Sequence, residues 1–230
     1  METAAVNCED KSPREINREI KQLLATGRNE VFVAAPAAQH NLGVGLVEPI
    51  TLRFDGSVGY YCAGLIDGPS VHVAGSAGWG VAEGMMGGLV VVEGNAGNGA
   101  GAAIRGGTLV VKGDAGARTG AGIKGGAILI GGDCGYMTGF MGQRGTVVVC
   151  GDAGEALGDS MYETVIYIGG EIAEPGNDAV IERPSDEDLQ FLKSLLAPHG
   201  LPTDRDWKKV VSGRKLWNFD RHEASWREIL

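Results

Sequence analysis

Aromatic residues, paired cysteines and long apolar runs are all scarce in this chain. Among 230 residues there are only 5 Phe, 5 Tyr and 4 Trp, a composition suited to thin layers packed with Val, Ile, Ala and Leu. No apolar stretch approaches the roughly eighteen residues that a membrane-spanning helix needs. The segment Met1 to Lys11 lacks the basic-then-apolar layout of a signal peptide. These absences lead to the expectation of a soluble, cytoplasmic protein. The four cysteines, Cys8, Cys62, Cys134 and Cys150, include no C-x-x-C pair and have no His at zinc-finger spacing. That argues against a cluster or structural metal held by this chain alone, and Cys62, Cys134 and Cys150 read as small hydrophobes. Basic residues are outnumbered, 20 against 29 acidic, for a net charge of −9. An excess of that sign argues against nucleic acid and anionic membranes as partners. His40, His72, His199 and His222 are dispersed, and no Ser or Cys stands in a nucleophile-elbow context, so no catalytic residue, cofactor ligand or metal ligand is assigned.

Glycine, in contrast, is abundant and periodic. Gly56, Gly75, Gly94, Gly113, Gly132, Gly151 and Gly170 each open the same phrase, nineteen residues apart. Three places on stand Gly59, Gly78, Gly97, Gly116, Gly135 and Gly154, with Ala173 closing the series. Seven places on come Ala63 and Ala82, then Gly101, Gly120, Gly139 and Gly158. An apolar triplet precedes each later opening glycine, from Val71-His72-Val73 to Ile166-Tyr167-Ile168. Its outer positions are always aliphatic, the mark of a strand with one face in a core. A fixed period over seven copies means stacked structural repeats.

Glycine costs roughly 0.5–1 kcal/mol relative to Ala in regular structure, so its fixed phase requires a cause. Either the chain turns through conformations that glycine alone tolerates, or it passes its neighbour too closely for a Cβ. The expected fold is therefore an all-β solenoid: a right-handed parallel β-helix of about seven nineteen-residue coils, with a rod length on the order of 29 Å. The left-handed hexapeptide solenoid does not fit, because nineteen is not a multiple of six.

Three segments follow from this pattern. Residues 1–49 form an N-terminal cap, in which Ser12-Pro13-Arg14-Glu15 starts a helix with Ile16, Ile20, Leu23 and Leu24 on one face, and Val31-Phe32-Val33 is a strand. Residues 50–180 are the β-helix. Residues 181–230 hold a second capped helix, begun by Ser185 and bearing Leu189, Leu192, Leu195 and Leu196 on one face, and a tail with Trp207, Trp217 and Trp226. The helices are expected to cover the open ends of the rod. The tail has two readings, an arm laid on another subunit or a cap docked on its own rod.

Two columns are candidates for chemistry. The position after each opening glycine reads Ser57, Ser76, Asn95, Asp114, Asp133, Asp152, Glu171. Closely spaced carboxylates serve glycosidases and calcium sites; equally, each early member of the column has a side chain that closes turns by accepting a backbone N–H, and the latter reading is preferred. Arg105 and Lys124 share a phase in adjacent coils, with Arg118 and Arg144 nearby, so a positive stripe could receive an acidic partner or an anionic ligand. Against this stands solvation, or pairing with the acidic column.

The strict phrases Gly94 to Gly101, Gly113 to Gly120, Gly132 to Gly139 and Gly151 to Gly158 resemble the GXGXG motif of the β-helical domain that ends the large subunit of glutamate synthase. A similar domain forms one of the subunits of formylmethanofuran dehydrogenase. In length and in its helical tail the chain most resembles the family of stand-alone GXGXG subunits of N-methylglutamate synthase (methylamine–glutamate N-methyltransferase). The resemblance implies a scaffold without active-site residues, in a cytoplasmic hetero-oligomer with an amidotransferase-like subunit and an FMN-binding, glutamate-synthase-like subunit that also holds an iron–sulfur cluster. The implied reaction converts L-glutamate and methylamine to N-methyl-L-glutamate and ammonia. The alternatives are a β-helix subunit of glutamate synthase or formylmethanofuran dehydrogenase, and an independent carbohydrate- or cation-binding β-helix using Asp114, Asp133 and Asp152.

Overall fold

Each nineteen-residue unit closes one winding, and the windings stack in strict parallel register: Leu52, Val71, Val90, Leu109, Ile128, Val147 and Ile166 pair in turn across seven strands. The computed structural model describes residues 4–213. The seven strands are β3 (Thr51–Phe54), β4 (Ser70–Val73), β5 (Leu89–Val92), β6 (Thr108–Val111), β7 (Lys124–Ile130), β8 (Arg144–Val149) and β9 (Glu163–Ile168). Two further rungs precede them, β1 (Ala4–Asn7) and β2 (Glu30–Ala34), also parallel. The sheet thus begins before the nineteen-residue period does, since Val31 pairs with Leu52 at a separation of twenty-one. A second ladder of bridges, Val58, Ala77, Ala96, Ala115, Cys134, Ala153 and Ile172, runs along another side of the rod. The chain is a parallel β-helix, as its periodicity implies.

The third side is a stack of turns with an unusual backbone. Five, seven and nine residues after the opening glycine the chain enters the left-handed region, as at Tyr61, Ala63 and Leu65 (φ 59°, 54° and 56°). The N–H groups of these three point alternately to the following and preceding windings, meeting the carbonyls of Trp79, Leu42 and Glu83 at 2.7, 2.9 and 2.9 Å. Left-handed geometry costs an L-residue roughly 1–2 kcal/mol, which explains Gly101, Gly120, Gly139 and Gly158 in the middle of the turn. The opening glycines have a different cause, described below.

Between the three sides lies one apolar core. The outer members of each triplet, such as Val71 and Val73 or Ile128 and Ile130, point inward and are fully buried, with Ile66, Met85, Ile104 and Ile123 meeting them from the turns. Helix α1 (Pro13–Ala25) closes the N-terminal end. Its capping box is formed, with Ser12 N–H donating to Glu15 Oε2 at 2.8 Å and Glu15 N–H to Ser12 Oγ at 3.4 Å, and Ile16 and Ile20 enter the core beside Val6 and Val33.

The C-terminal helix departs from expectation. Rather than covering the open end, α2 (Asp186–Leu196) lies along a flank. Leu192 and Leu196, followed by Leu201 and Trp207, bury the outward middle residues of the triplets, Val91, Val110, Leu129, Val148 and Tyr167. Leu195 is partly buried and Leu189 is exposed, because only one edge of the helix meets the sheet. The end of the rod is extended instead by β11 (Lys208–Ser212), antiparallel to β9, and by β10 (Ala179–Glu182), antiparallel to β11. Segments 1–49, 50–180 and 181–213 therefore contribute to a single eleven-stranded sheet.

Candidate functional site

Three surface columns carry the side chains with chemical potential, and all arise from the repeat. In the acidic column, each side chain accepts the backbone N–H of its counterpart one winding on. Ser57 Oγ, Ser76 Oγ, Asn95 Oδ1, Asp114 Oδ1, Asp133 Oδ1 and Asp152 Oδ1 take the N–H groups of Ser76, Asn95, Asp114, Asp133, Asp152 and Glu171 at 3.0, 3.1, 2.9, 2.9, 2.7 and 2.7 Å. This structural role differs from the turn closure expected, because the bond joins two windings. It also explains the opening glycines: a Cβ on Gly132, Gly151 or Gly170 would lie 2.1 Å from the accepting Oδ1, closer than any real Cβ contact. The glycine and the acid are one device, repeated along the rod. Each carboxylate has one oxygen engaged in the fold, and the last member, Glu171, is paired with Lys208 at 3.2 Å. Among the described residues, no three of His, Cys, Asp and Glu converge as they would around a metal ion.

The nucleophile candidates are withdrawn from reaction. Burial pushes the Cys62 thiol up to about 12 and the Cys134 and Cys150 thiols up to about 11, and Cys8 shifts in the same direction. Such thiols stay protonated and unreactive near neutral pH. The period-two strand geometry places Ser70 Oγ 3.2 Å from His72 Nε2 on the outer face of β4, a pair that sequence reasoning missed although i, i+2 spacing on a strand signals it. Among the described residues no carboxylate is hydrogen-bonded to the other ring nitrogen, so the pair lacks the orienting third group of a hydrolytic triad. Desolvation lowers the His72 pKa, aided by Arg53 and opposed by Glu93.

The basic column lies eleven or twelve residues after the opening glycine, on the turn side. Lys124 and Arg144 are register partners across β7 and β8. Arg105 occupies the rung before Lys124, as shown by their N–H groups bonding to Met85 and Ile104 at the same point in successive windings. All three are exposed, and none is within ion-pair distance of an acid among the described residues. The column does not pair with the acidic ladder. Arg118 lies over the Phe140 ring, 5.6 Å from its centroid, a cation–π arrangement. At the entry to the turns of the first windings, where Tyr60 and Trp79 stand four residues after their opening glycines, runs an aromatic stack: His40 against Tyr60 at 4.4 Å and Tyr60 against Trp79 at 5.3 Å.

Trp207, expected at a partner interface or in a cap, is 7% exposed and packs on its own sheet, with Nε1–H donating to the Thr203 carbonyl at 3.2 Å. As far as residue 213 the tail is docked on the rod and is no arm. Trp217 and Trp226 lie outside the described residues.

No family model matches the chain. Protein GlxC of Rhizobium meliloti (strain 1021) is 46% identical over 57 residues, 24% of this chain and 25% of that protein, so the similarity spans about a quarter of the relative's length. A chain of the formyltransferase/hydrolase complex (FhcABCD) from Methylorubrum extorquens, solved in complex with methylofuran, superposes with a TM-score of 0.68 at 24% identity. The match covers 88% of this chain and 87% of that one, and it shows a shared fold.

Proposed function

We propose that this chain is a non-catalytic scaffold subunit of a multi-subunit, glutamate-synthase-like complex. In the specific form of the proposal, it holds an amidotransferase-like subunit against a synthase-like subunit that holds FMN and an iron–sulfur cluster, in an assembly that makes N-methyl-L-glutamate and ammonia from L-glutamate and methylamine. The observation that carries this reading is the unbroken column of side-chain-to-backbone bonds from Ser57 to Glu171. It commits the acidic side chains to stiffening the rod. A rigid spacer suits a coupled reaction, in which an intermediate must pass between sites at fixed separation and shielded from water. The assignment of FMN and the iron–sulfur cluster to a partner follows from the resemblance to glutamate-synthase-like complexes.

The test is to purify the partner subunits with and without this chain and to follow methylamine-dependent formation of N-methyl-L-glutamate. The partners alone should be folded and unable to run the coupled reaction; turnover at the normal rate without this chain would overturn the proposal. A second reading, membership of a formyltransferase/hydrolase type of complex, is favoured by the superposition over 88% of the chain. The identity of copurifying subunits separates the two.

A further inference from the structure

The turn side carries a second pattern beside the cation column. Nine residues after the first five opening glycines, the outward position reads Leu65, Gly84, Ala103, Gly122, Met141. Leu65 and Met141 are 57% and 44% exposed, and between them the surface drops to small residues. Leu65 leans over Gly84, whose added Cβ would meet Leu65 Cδ2 at 2.7 Å, whereas a Cβ built on Gly122 would meet nothing within 4 Å. The result is a shallow, open depression over two windings, floored by Ala103 and Gly122 and ended by apolar side chains. Arg105, Lys124 and Arg144 line its edge two or three residues further along each winding.

These cations stand in successive windings about 4.8 Å apart, where directly opposed like charges are destabilising. The flanking rungs of the column hold Met86, before Arg105, and Glu163, the register partner of Arg144, with Asp67 one rung beyond Met86; neither acid is within ion-pair distance of the cations. Arg105 and Lys124 have no acid on an adjacent rung of the column, and none of the three cations is in an ion pair among the described residues, even though the chain has nine more negative than positive charges. Local rules are broken in this way where a surface serves another purpose.

We infer that this depression receives a carboxylate-bearing surface of a partner subunit. Aspartate or glutamate side chains meet Arg105, Lys124 and Arg144, and apolar side chains flanking them settle between Leu65 and Met141. Charge complementarity fixes the occupant as acidic, and the apolar ends distinguish a protein surface from a free anion. The inference rests on the multi-subunit reading above and names the face by which a partner docks.

The experiment footprints lysines with an acetylating reagent in the assembly purified from its native source and in the isolated full-length chain. A zero-length carbodiimide cross-linking arm runs alongside. Lys124 should be protected in the assembly and cross-linked to a carboxylate of a companion subunit, while Lys21 on the outer face of α1 reacts equally in both samples. The double variant Arg105→Glu/Lys124→Glu should keep its melting temperature and weaken association at least about tenfold. Companion subunits that copurify while Lys124 stays fully reactive would overturn the docking face and leave the scaffold reading standing. The absence of any stoichiometric companion would overturn both. Protection of Lys124 in the isolated chain by free L-glutamate would overturn the docking face in favour of a small-molecule site.

Discussion

The two long flanks of this rod are built from the same repeat and finished in opposite ways. On the strand flank the outward residues of five successive windings are apolar, and the chain returns to cover them with α2, Leu201 and Trp207. On the turn flank no described segment returns: Leu65, Met86 and Met141 stay exposed along the cation column. Covering a continuous Val–Val–Leu–Val stripe is a matter of stability, since each fully buried side chain of that size is worth roughly 1.5–3 kcal/mol. A mixed apolar and cationic surface gives no such return to a segment of the same chain, and its composition is that of an association surface. A solenoid thus separates the two demands by phase within one nineteen-residue unit.

The largest expected effect would break the comparison by removing the rod on which both flanks stand. At Gly116 an added Cβ would meet Asn98 Oδ1 at 2.5 Å, Asn98 N at 2.8 Å and the Gly97 carbonyl carbon at 2.9 Å, and neighbouring backbone cannot yield as a side-chain tip can. Gly116→Val should cost about 3 kcal/mol or more and lower the melting temperature far more than Lys21→Val on the exposed face of α1. Matching thermal melts for the two variants would refute close-packed windings.

The next contrast acts on the flanks themselves. Leu196→Ala deletes a fully buried side chain from the strand flank and should destabilise by about 2–5 kcal/mol. Met86→Ala removes a similar volume from a position 45% exposed on the turn flank and should stay within about 0.5 kcal/mol. Urea titration of both variants decides the matter. A large loss for Met86→Ala would mean that the turn flank is packed in the isolated chain, and a small loss for Leu196→Ala would mean that α2 is not seated as described.

These flanks were unequally legible in the sequence. Periodicity alone gives the winding, its strand and its direction of stacking, and the two capping boxes fix both helix starts, because each is a local signal with a local cause. The glycines were legible as a requirement with two alternative causes, and the structure uses both: close approach at the opening and third positions, left-handed φ at the seventh. Sequence could not join the opening glycine to the acid after it, because the two meet across windings nineteen residues apart. Nor could it show where α2 would lie. The residues it covers, Val91, Val110, Leu129 and Val148, read equally as a third member of a core triplet or as an exposed middle position, and only tertiary packing settles which. The same long-range ambiguity left the cation column as an expectation until the Lys124–Arg144 register was seen.

The smallest expected effect sharpens the comparison by loosening the strand flank without emptying it. Tyr167 O–H donates to Asp188 Oδ1 at 2.5 Å, and Lys209 Nζ reaches Asp188 Oδ2 at 2.9 Å, so β9, α2 and β11 meet at one carboxylate. Partial burial pushes that carboxyl pKa up, but the Tyr167 hydroxyl, the Ser185 N–H and the Lys209 ammonium outweigh it and hold Asp188 well below the usual range. Burial and the same carboxylate push the Tyr167 hydroxyl up. A depressed folded-state carboxyl contributes stability above its unfolded value of about 3.9 and loses it as pH falls further. A raised phenol is the converse case, so its share is lost as pH climbs past about 10. Between these limits the clasp is closed. Tyr167→Phe deletes one donor and should cost about 1 kcal/mol at pH 7. It should also shrink the loss of stability below about pH 3.9, so that the two proteins converge at acid pH, because with fewer partners the folded-state Asp188 carboxyl lies closer to its unfolded value. Melting temperatures of both proteins from pH 7 to about pH 2.5 read this directly. Parallel curves offset by a constant would show that the hydroxyl adds packing alone, and that the carboxylate is held without it.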